Sequence, residues 1–331
     1  MIPIRHYAVV GAGTLFLFIL FINWRFTNLS NDLIDLQLRV QNVATKEDQY
    51  VKQLLKAVCA FQRYFNAKDQ FCRGNGSFLV EQMQNTQRHL NSLIQREFPK
   101  PFKRWRILHP LFDAAMSGFR YVLQPFELRN RDEAKYYMNF LDPNASCNSV
   151  TLGIGMDWSV EKKMQRKYPQ CQFLGVDPIE ENRKIVEAES NSRFVLAAVS
   201  NTIENKTASV LTKKYVNREI AHRAFIELLA TENKGKLIDF LTIDIEGPEF
   251  TLLKDLHNKR SELPIICSFN VEIHYNIKGQ DFEWEKIYGT LADIFEESHF
   301  ILLKSFVGNW GREFFINVGD RECVQNLKCN D

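Results

Sequence analysis

From Asn148 to the carboxyl end, short apolar runs alternate with amphipathic stretches, and this alternation admits few folds. The runs fall at Ser149–Leu152, Gln172–Val176, Phe194–Val199, Asp239–Ile243 and Ile265–Ile273. Each has the length and the apolar content of a strand buried on both faces. Helical periodicity occupies the intervals, over Trp158–Lys167, Glu180–Ser190, Asn217–Thr231 and Glu249–Arg260. Strands joined through helices form a parallel sheet wrapped on both sides. A last helix, Phe282–Glu296, leads to two more runs, Phe300–Phe306 and Glu313–Val318, separated only by Val307-Gly-Asn-Trp-Gly-Arg. So short a connection joins antiparallel strands. The expected fold class is α/β, a Rossmann-like sheet of seven strands ending in an antiparallel hairpin.

The chemistry-bearing residues fall at the carboxyl ends of these strands. Thr151-Leu-Gly-Ile-Gly-Met-Asp follows the first strand and opens the first helix. Gly153 and Gly155 allow positive φ and close approach of a ligand to the backbone. Asp157 is placed to cap the helix. Gly175-Val-Asp-Pro ends the second strand, and Asp177 stands where such sheets hold the ribose hydroxyls of a bound nucleotide; it could equally cap the helix near Pro178. Further on, Asp239-Phe-Leu-Thr-Ile-Asp-Ile-Glu-Gly-Pro-Glu delivers Asp244 and Glu246 to the same edge. The next strand ends Asn270-Val-Glu-Ile-His-Tyr, with Glu272 and His274 on one face by alternation. Glu246 could instead cap the following helix, and His274 could be a turn residue.

These elements, together with Leu196-Ala-Ala-Val-Ser, resemble the FkbM family of S-adenosylmethionine-dependent methyltransferases, close to a group found in nematodes, over about Ser149 to Val318. The resemblance implies the methyltransferase form of the sheet and O-methylation of a hydroxyl acceptor. S-adenosylmethionine would be bound by Gly153, Gly155, Asp157, Asp177 and Ala198. His274, Glu272, Glu246 and Asp244 are the catalytic candidates, with His274 as first choice of base because its ordinary pKa lies near neutrality. No metal site is expected. Two rivals stand beside this reading. One is a Golgi-type glycosyltransferase with Asp244-Ile-Glu246 as metal-binding motif; the other is a non-catalytic binding protein of the same fold.

The first half reads differently. Tyr7 to Trp24 carries no charge and reads as a signal anchor, flanked by Arg5 and Arg25. Leu29, Leu33, Leu36, Val40 and Val43 mark a helical stem that could pair two copies. The expected organisation is a cytoplasmic tail (1–6), an anchor (7–24), a stem (25–58), a helical region (59–147) and a catalytic domain (148–331). Within the helical region, Phe78–Phe98 and Arg131–Leu141 read as helices covering one sheet edge or shaping the acceptor pocket. Sequons at Asn28, Asn75, Asn144 and Asn205 suit a type II protein of the Golgi or endoplasmic reticulum with a lumenal catalytic domain acting on a small-molecule or glycan hydroxyl. A net charge of +2 argues against nucleic acid. The seven cysteines lack C-x-x-C spacing; Cys323 with Cys329 and Cys59 with Cys72 are plausible local pairs, with buried free thiols the alternative.

Overall fold

A computed structural model describes residues 76–97, 109, 112–131, 133–140, 142, 144–202, 204–211, 215–274, 284–307 and 310–325, all within one compact unit, Phe65–Asp331. No helix among them is long and apolar enough to cross a membrane. The segments read as tail, anchor and stem lie outside the described residues, as do Cys59, Cys72 and Cys329.

In chain order the elements are α1 (Gly76–Glu97), α2 (Ser117–Leu123), β1 (Phe126–Arg129), β2 (Ala134–Tyr137), β3 (Cys147–Leu152), α3 (Ser159–Lys167), β4 (Cys171–Asp177), α4 (Glu181–Val186), β5 (Ser192–Leu196) and β6 (Ala198–Ser200). There follow β7 (Glu204–Leu211), β8 (Tyr215–Ala224), α5 (Phe225–Glu232), β9 (Phe240–Ile243), α6 (Glu249–Asn258), β10 (Ser268–Ile273), α7 (Trp284–Glu297), β11 (Phe300–Val307), β12 (Gly311–Asn317) and α8 (Arg321–Val324). The main sheet has seven strands in the order β11-β12-β10-β9-β3-β4-β5. Strands β10, β9, β3, β4 and β5 run parallel, and β12 pairs antiparallel with both β10 and β11. This is the expected Rossmann-like sheet with its terminal hairpin.

Three sequence expectations give way to the structure. The helix read over Arg131–Leu141 is strand β2, which pairs with β1 from Phe126↔Tyr137 to Arg129↔Ala134. The Asn270 amide pins β2 to the sheet, accepting from Tyr136 N at 2.9 Å and donating to Tyr136 O at 2.8 Å. The helix read over Asn217–Thr231 begins only at Phe225; the residues before it pair with β7 in a long antiparallel hairpin. The run Phe194–Val199 breaks at Ala197, whose N–H donates to Asp177 O at 3.1 Å, and β6 then joins a separate sheet, β6-β8-β7.

The disulfides also differ from the local pairs expected. Cys147 bonds Cys171 across neighbouring strands, and Cys267 bonds Cys323, so Cys323 is not available to Cys329. Strand register brings Cys147 to Cys171, whereas Cys267, just before β10, meets Cys323 of helix α8, 56 residues on.

Helix α1 and the residues around α2 cover the edge strand β11, as an exposed edge requires. Buried Gln87 donates to Phe300 O at 2.8 Å and accepts from Leu302 N at 2.8 Å. Arg120 donates to Leu303 O at 2.8 Å, and Asp113 accepts from Ser305 N at 3.1 Å. Leu79 and Met83 of α1 and Phe119 of α2 pack with Ile301, Leu303 and Phe314 beneath these bonds. Replacing Gln87 with Leu leaves one buried carbonyl and one buried N–H unmet, at about 1–3 kcal/mol each. A fall in melting temperature of several degrees is the expected outcome in a thermal scan.

Candidate active site

The glycine loop is shaped by contacts on both sides. Gly153 has φ +85°, and a Cβ there would sit 1.7 Å from the carbonyl oxygen of Asp244. Only glycine lets β3 and β9 end so close together. Gly155 also lies in the left-handed region, at φ +58°, but a Cβ there would meet nothing within 4 Å. Asp177, at the end of β4, holds the loop: its carboxylate accepts from Ile154 N at 2.7 Å and Gly155 N at 3.4 Å, and from Ile179 N at 2.8 Å. Burial pushes its pKa up, against these backbone donors. Asp177 thus braces the glycine loop and lines the cleft; α4 begins only at Glu181 and takes no side-chain cap, so the helix cap weighed for Asp177 is not the role it fills. Asp157 accepts from Ser159 N at 2.9 Å at the start of α3.

The second loop, after β9, is built on Glu249. Its Oε1 accepts from Ile245 N at 3.1 Å and Gly247 N at 3.0 Å, and its Oε2 lies 3.0 Å from the same Gly247 N. This ties back a turn in which Glu246 has φ +61° and Gly247 φ +134°. The same Oε1 lies 2.8 Å from Nδ1 of His274, at the end of β10. With Nδ1 turned to Glu249, Nε2 faces Glu246 at 3.4 Å, Asp244 at 3.7 Å and Glu272 at 3.8 Å. Trp310 tilts against the ring at 4.9 Å.

Burial alone would discharge His274. The Glu249 hydrogen bond and the charges of Glu249, Asp244 and Glu246 outweigh burial and push its pKa up to about 9. A ring facing several carboxylates favours its protonated form, so this geometry suits His274 as a proton donor or a cation more than as the base expected from an isolated imidazole.

The carboxylates move the other way. Burial, reinforced by Glu133 and partly offset by Lys135 and His274, pushes Asp244 up to about 7. Burial and the Asp244 charge push Glu272 up to about 8, although Arg312 grips it at 2.9 and 3.2 Å. Buried Lys135 lies 2.8 Å from Glu133, and that pair keeps Glu133 below the usual carboxylate range despite burial. Donor atoms of Asp244, Glu249 and His274, and those of Glu133, Asp244 and Glu272, each lie within 4.8 Å of one another and could hold a cation. In the first set Glu249 is already bonded to two N–H groups and the ring; in the second, Lys135 and Arg312 supply the countercharge.

One cleft of about 500 Å³ gathers every residue singled out from sequence: Gly153, Gly155, Asp157, Asp177 and Ala198 on one side, Asp244, Glu246, Glu272 and His274 on the other. Its size suits a cofactor-sized ligand. His222, register partner of Ala198, and Trp310 also line it. Sequence reasoning missed Glu249, Glu133, Lys135 and Arg312. Glu249 ends the Asp-Ile-Glu-Gly-Pro-Glu motif and was legible as a possible loop clamp; the other three reach the site only through pairing of β2 and β12.

A family model for the methyltransferase FkbM domain matches residues 124–303, more than half of the 331. The chain belongs to the FkbM methyltransferases. It is thus a methyltransferase whose cofactor is S-adenosylmethionine. No curated protein matches it by sequence. The fibrillarin pre-rRNA processing protein of Methanococcus jannaschii is 10% identical at a TM-score of 0.33, covering 60% of this chain and 85% of its own. A SAM-dependent methyltransferase from Aquifex aeolicus is 13% identical at 0.27, covering 51% and 81%. The N-terminal domain of human METTL16 in complex with SAH is 10% identical at 0.32, covering 70% and 94%. At such scores these likenesses add nothing to the family assignment. The FkbM match begins at β1, so the hairpin that supplies Glu133 and Lys135 is part of the family domain.

The two glycines of this FkbM loop are expected to differ sharply. Gly153→Ala should melt far below the parent because the loop must move off Asp244, whereas Gly155→Ala should lose only about 1–2 kcal/mol of backbone preference. Thermal melts of the two variants side by side check this.

Proposed function

We propose that this methyltransferase transfers the methyl group of S-adenosylmethionine to a hydroxyl oxygen, with Asp244 as general base. The observation that carries the proposal is the Asp244 carboxylate on the cofactor cleft, with a pKa of about 7 and a protonated His274 beside it. The cofactor, when bound, supplies an electrophilic methyl group. An alcohol is a weak nucleophile at neutral pH, so a base poised near 7 is the group it needs. Asp244 takes the hydroxyl proton. The glycine loop and Asp177 fix the cofactor, and proximity provides much of the remaining acceleration. Glu249 is a positioning residue that holds His274 and the loop. Glu272, gripped by Arg312, is held at the wall as the neighbouring acid.

The setting we infer is the lumen of the secretory pathway, with residues 7–24 as anchor. Two disulfides within the catalytic domain suit an oxidising compartment. The sequon asparagine Asn144 is exposed. Membership of the FkbM family, together with the glycine loop and Asp177 lining one cleft with Asp244, favours this reading over a glycosyltransferase using Asp244-Ile-Glu246.

Calorimetric titration of the full chain with S-adenosylhomocysteine should show binding that Asp177→Ala removes; no binding by folded parent protein would contradict the reading. With an acceptor in hand, kcat/KM should rise about tenfold per pH unit below 7 and level above it as Asp244 loses its proton. Asp244→Asn should remove that rise and lower kcat by about 10²–10⁴. An unchanged profile in the variant would transfer the base role to another group.

A further inference from the structure

We infer that the ion pair of Glu133 and Lys135, on the β1–β2 hairpin, holds the methionyl end of the cofactor, with Lys135 binding its carboxylate. The inference rests on the methyltransferase reading of the cleft and extends it from the nucleoside to the amino-acid end. The cofactor's sulfur bears three arms: the adenosyl group, the methyl group and the methionyl chain. With the ribose at Asp177 and the methyl facing Asp244, two arms are placed. The nucleoside then belongs with the ends of β4 and β5, among Asp177, Ile179 and Ala198. The methionyl chain is left the opposite side of the cleft, whose wall includes Glu133 and Lys135. The hairpin that carries them is bonded to β10 through Asn270 and to α3 through Lys163, which donates to the Arg129 carbonyl. Donor atoms of Glu133, Asp244 and Glu272 lie within 4.8 Å of one another, so this pair stands beside the reacting centre.

The methionyl chain ends in a carboxylate and an ammonium. A carboxylate drawn out of water requires a cation. Among the described residues, the cleft is lined by four that can carry positive charge: Lys135, His222, His274 and Arg312. Arg312 is bonded twice to Glu272, at 2.9 and 3.2 Å. His274 turns Nδ1 to Glu249 and Nε2 to Glu246 and Asp244. His222 is the register partner of Ala198, at the nucleoside end. Strand β3, which leads into the glycine loop, has no charged residue. Lys135 is therefore the cation placed for the carboxylate. Its ammonium lies 2.8 Å from Glu133. Burial works against its charge, but Glu133 and the buried Glu161 of α3 outweigh burial and hold its pKa above the ordinary lysine range. Glu161 is fixed in turn by the Thr151 hydroxyl, which donates to it at 2.8 Å. An ammonium has three donors, so one can serve Glu133 and another a ligand. Glu133 stays anionic, since Lys135 outweighs burial there too, and it suits the ligand's ammonium. An anion and a cation side by side match a zwitterion in one orientation, and a pair already held in place needs little ordering on binding.

Calorimetry on the full chain tests this with three probes: S-adenosylhomocysteine, its decarboxylated analogue, and methylthioadenosine, which lacks the whole amino-acid end. S-adenosylhomocysteine should bind the parent about 10–100-fold more tightly than the decarboxylated analogue, the range of a charged hydrogen bond. Lys135→Met should erase that ratio and Lys135→Arg should keep most of it. Methylthioadenosine should bind all three proteins alike; a pair that served packing alone would leave the ratio unchanged. Lys135→Met leaves two buried acids without their cation, so a second readout uses the folded parent. With lysine labelled at Cε with carbon-13, the Lys135 signal, assigned by its absence from Lys135→Arg, should move with S-adenosylhomocysteine and stay with the decarboxylated analogue. A parent ratio near one, a ratio that survives in Lys135→Met, or a Lys135 signal indifferent to the carboxylate would each overturn the assignment while methylthioadenosine still binds. Binding of no probe to the folded parent is a different result, which removes the methyltransferase reading and this one with it.

Discussion

One carboxylate organises the site. Glu249 accepts from two N–H groups of the loop after β9 and from the ring of His274 at the end of β10. That loop contains two consecutive residues at positive φ, a conformation that a free chain would leave. The clamp keeps Asp244 at the sheet edge with its backbone oxygen against Gly153, so the glycine loop and the acidic loop are fixed by one arrangement. Asp177 does the same work on the other side of the cleft, through the N–H groups of the glycine loop. Both loops are shaped by carboxylates bonded to backbone, which is how irregular chain is held at a sheet edge without regular pairing.

The charges then follow from crowding. Asp244, Glu246, Glu272 and Glu133 approach one another because β9, β10 and the β1–β2 hairpin bring them to the same place. Lys135 and Arg312 neutralise part of that charge, and His274 takes up a proton in answer to the rest. A histidine among carboxylates becomes a cation, and a carboxylate among carboxylates becomes a base strong enough for work near neutrality. Acid and base are therefore assigned by environment and not by residue type.

The main sheet was legible in the sequence because buried parallel strands announce themselves: runs such as Phe240–Ile243 are buried throughout, apolar but for Thr242, and bounded by helices of clear period. The motif residues were legible because β-sheet topology sends strand ends to one edge, so Asp177, Asp244 and His274 had to converge. The hairpins were not. Ala134–Tyr137 is a strand because Asn270 and β1 bond its backbone, a tertiary cause that a helical propensity pattern cannot reveal. Glu133, Lys135 and Arg312 entered the site through that pairing and through β12, far from any motif. The charge on His274 was not legible for a related reason: its pKa depends on how close the carboxylates stand, and spacing along the chain does not give that distance.

The charge state of His274 is the claim on which the assignment of base and positioning residues turns. Nitrogen-15 NMR of the imidazole in the full-length protein measures it directly across pH 6 to 10. Two protonated ring nitrogens at pH 7, titrating near 9, are the expected result. A neutral ring at pH 7 with a bare Nε2 would contradict it and return the role of base to the histidine.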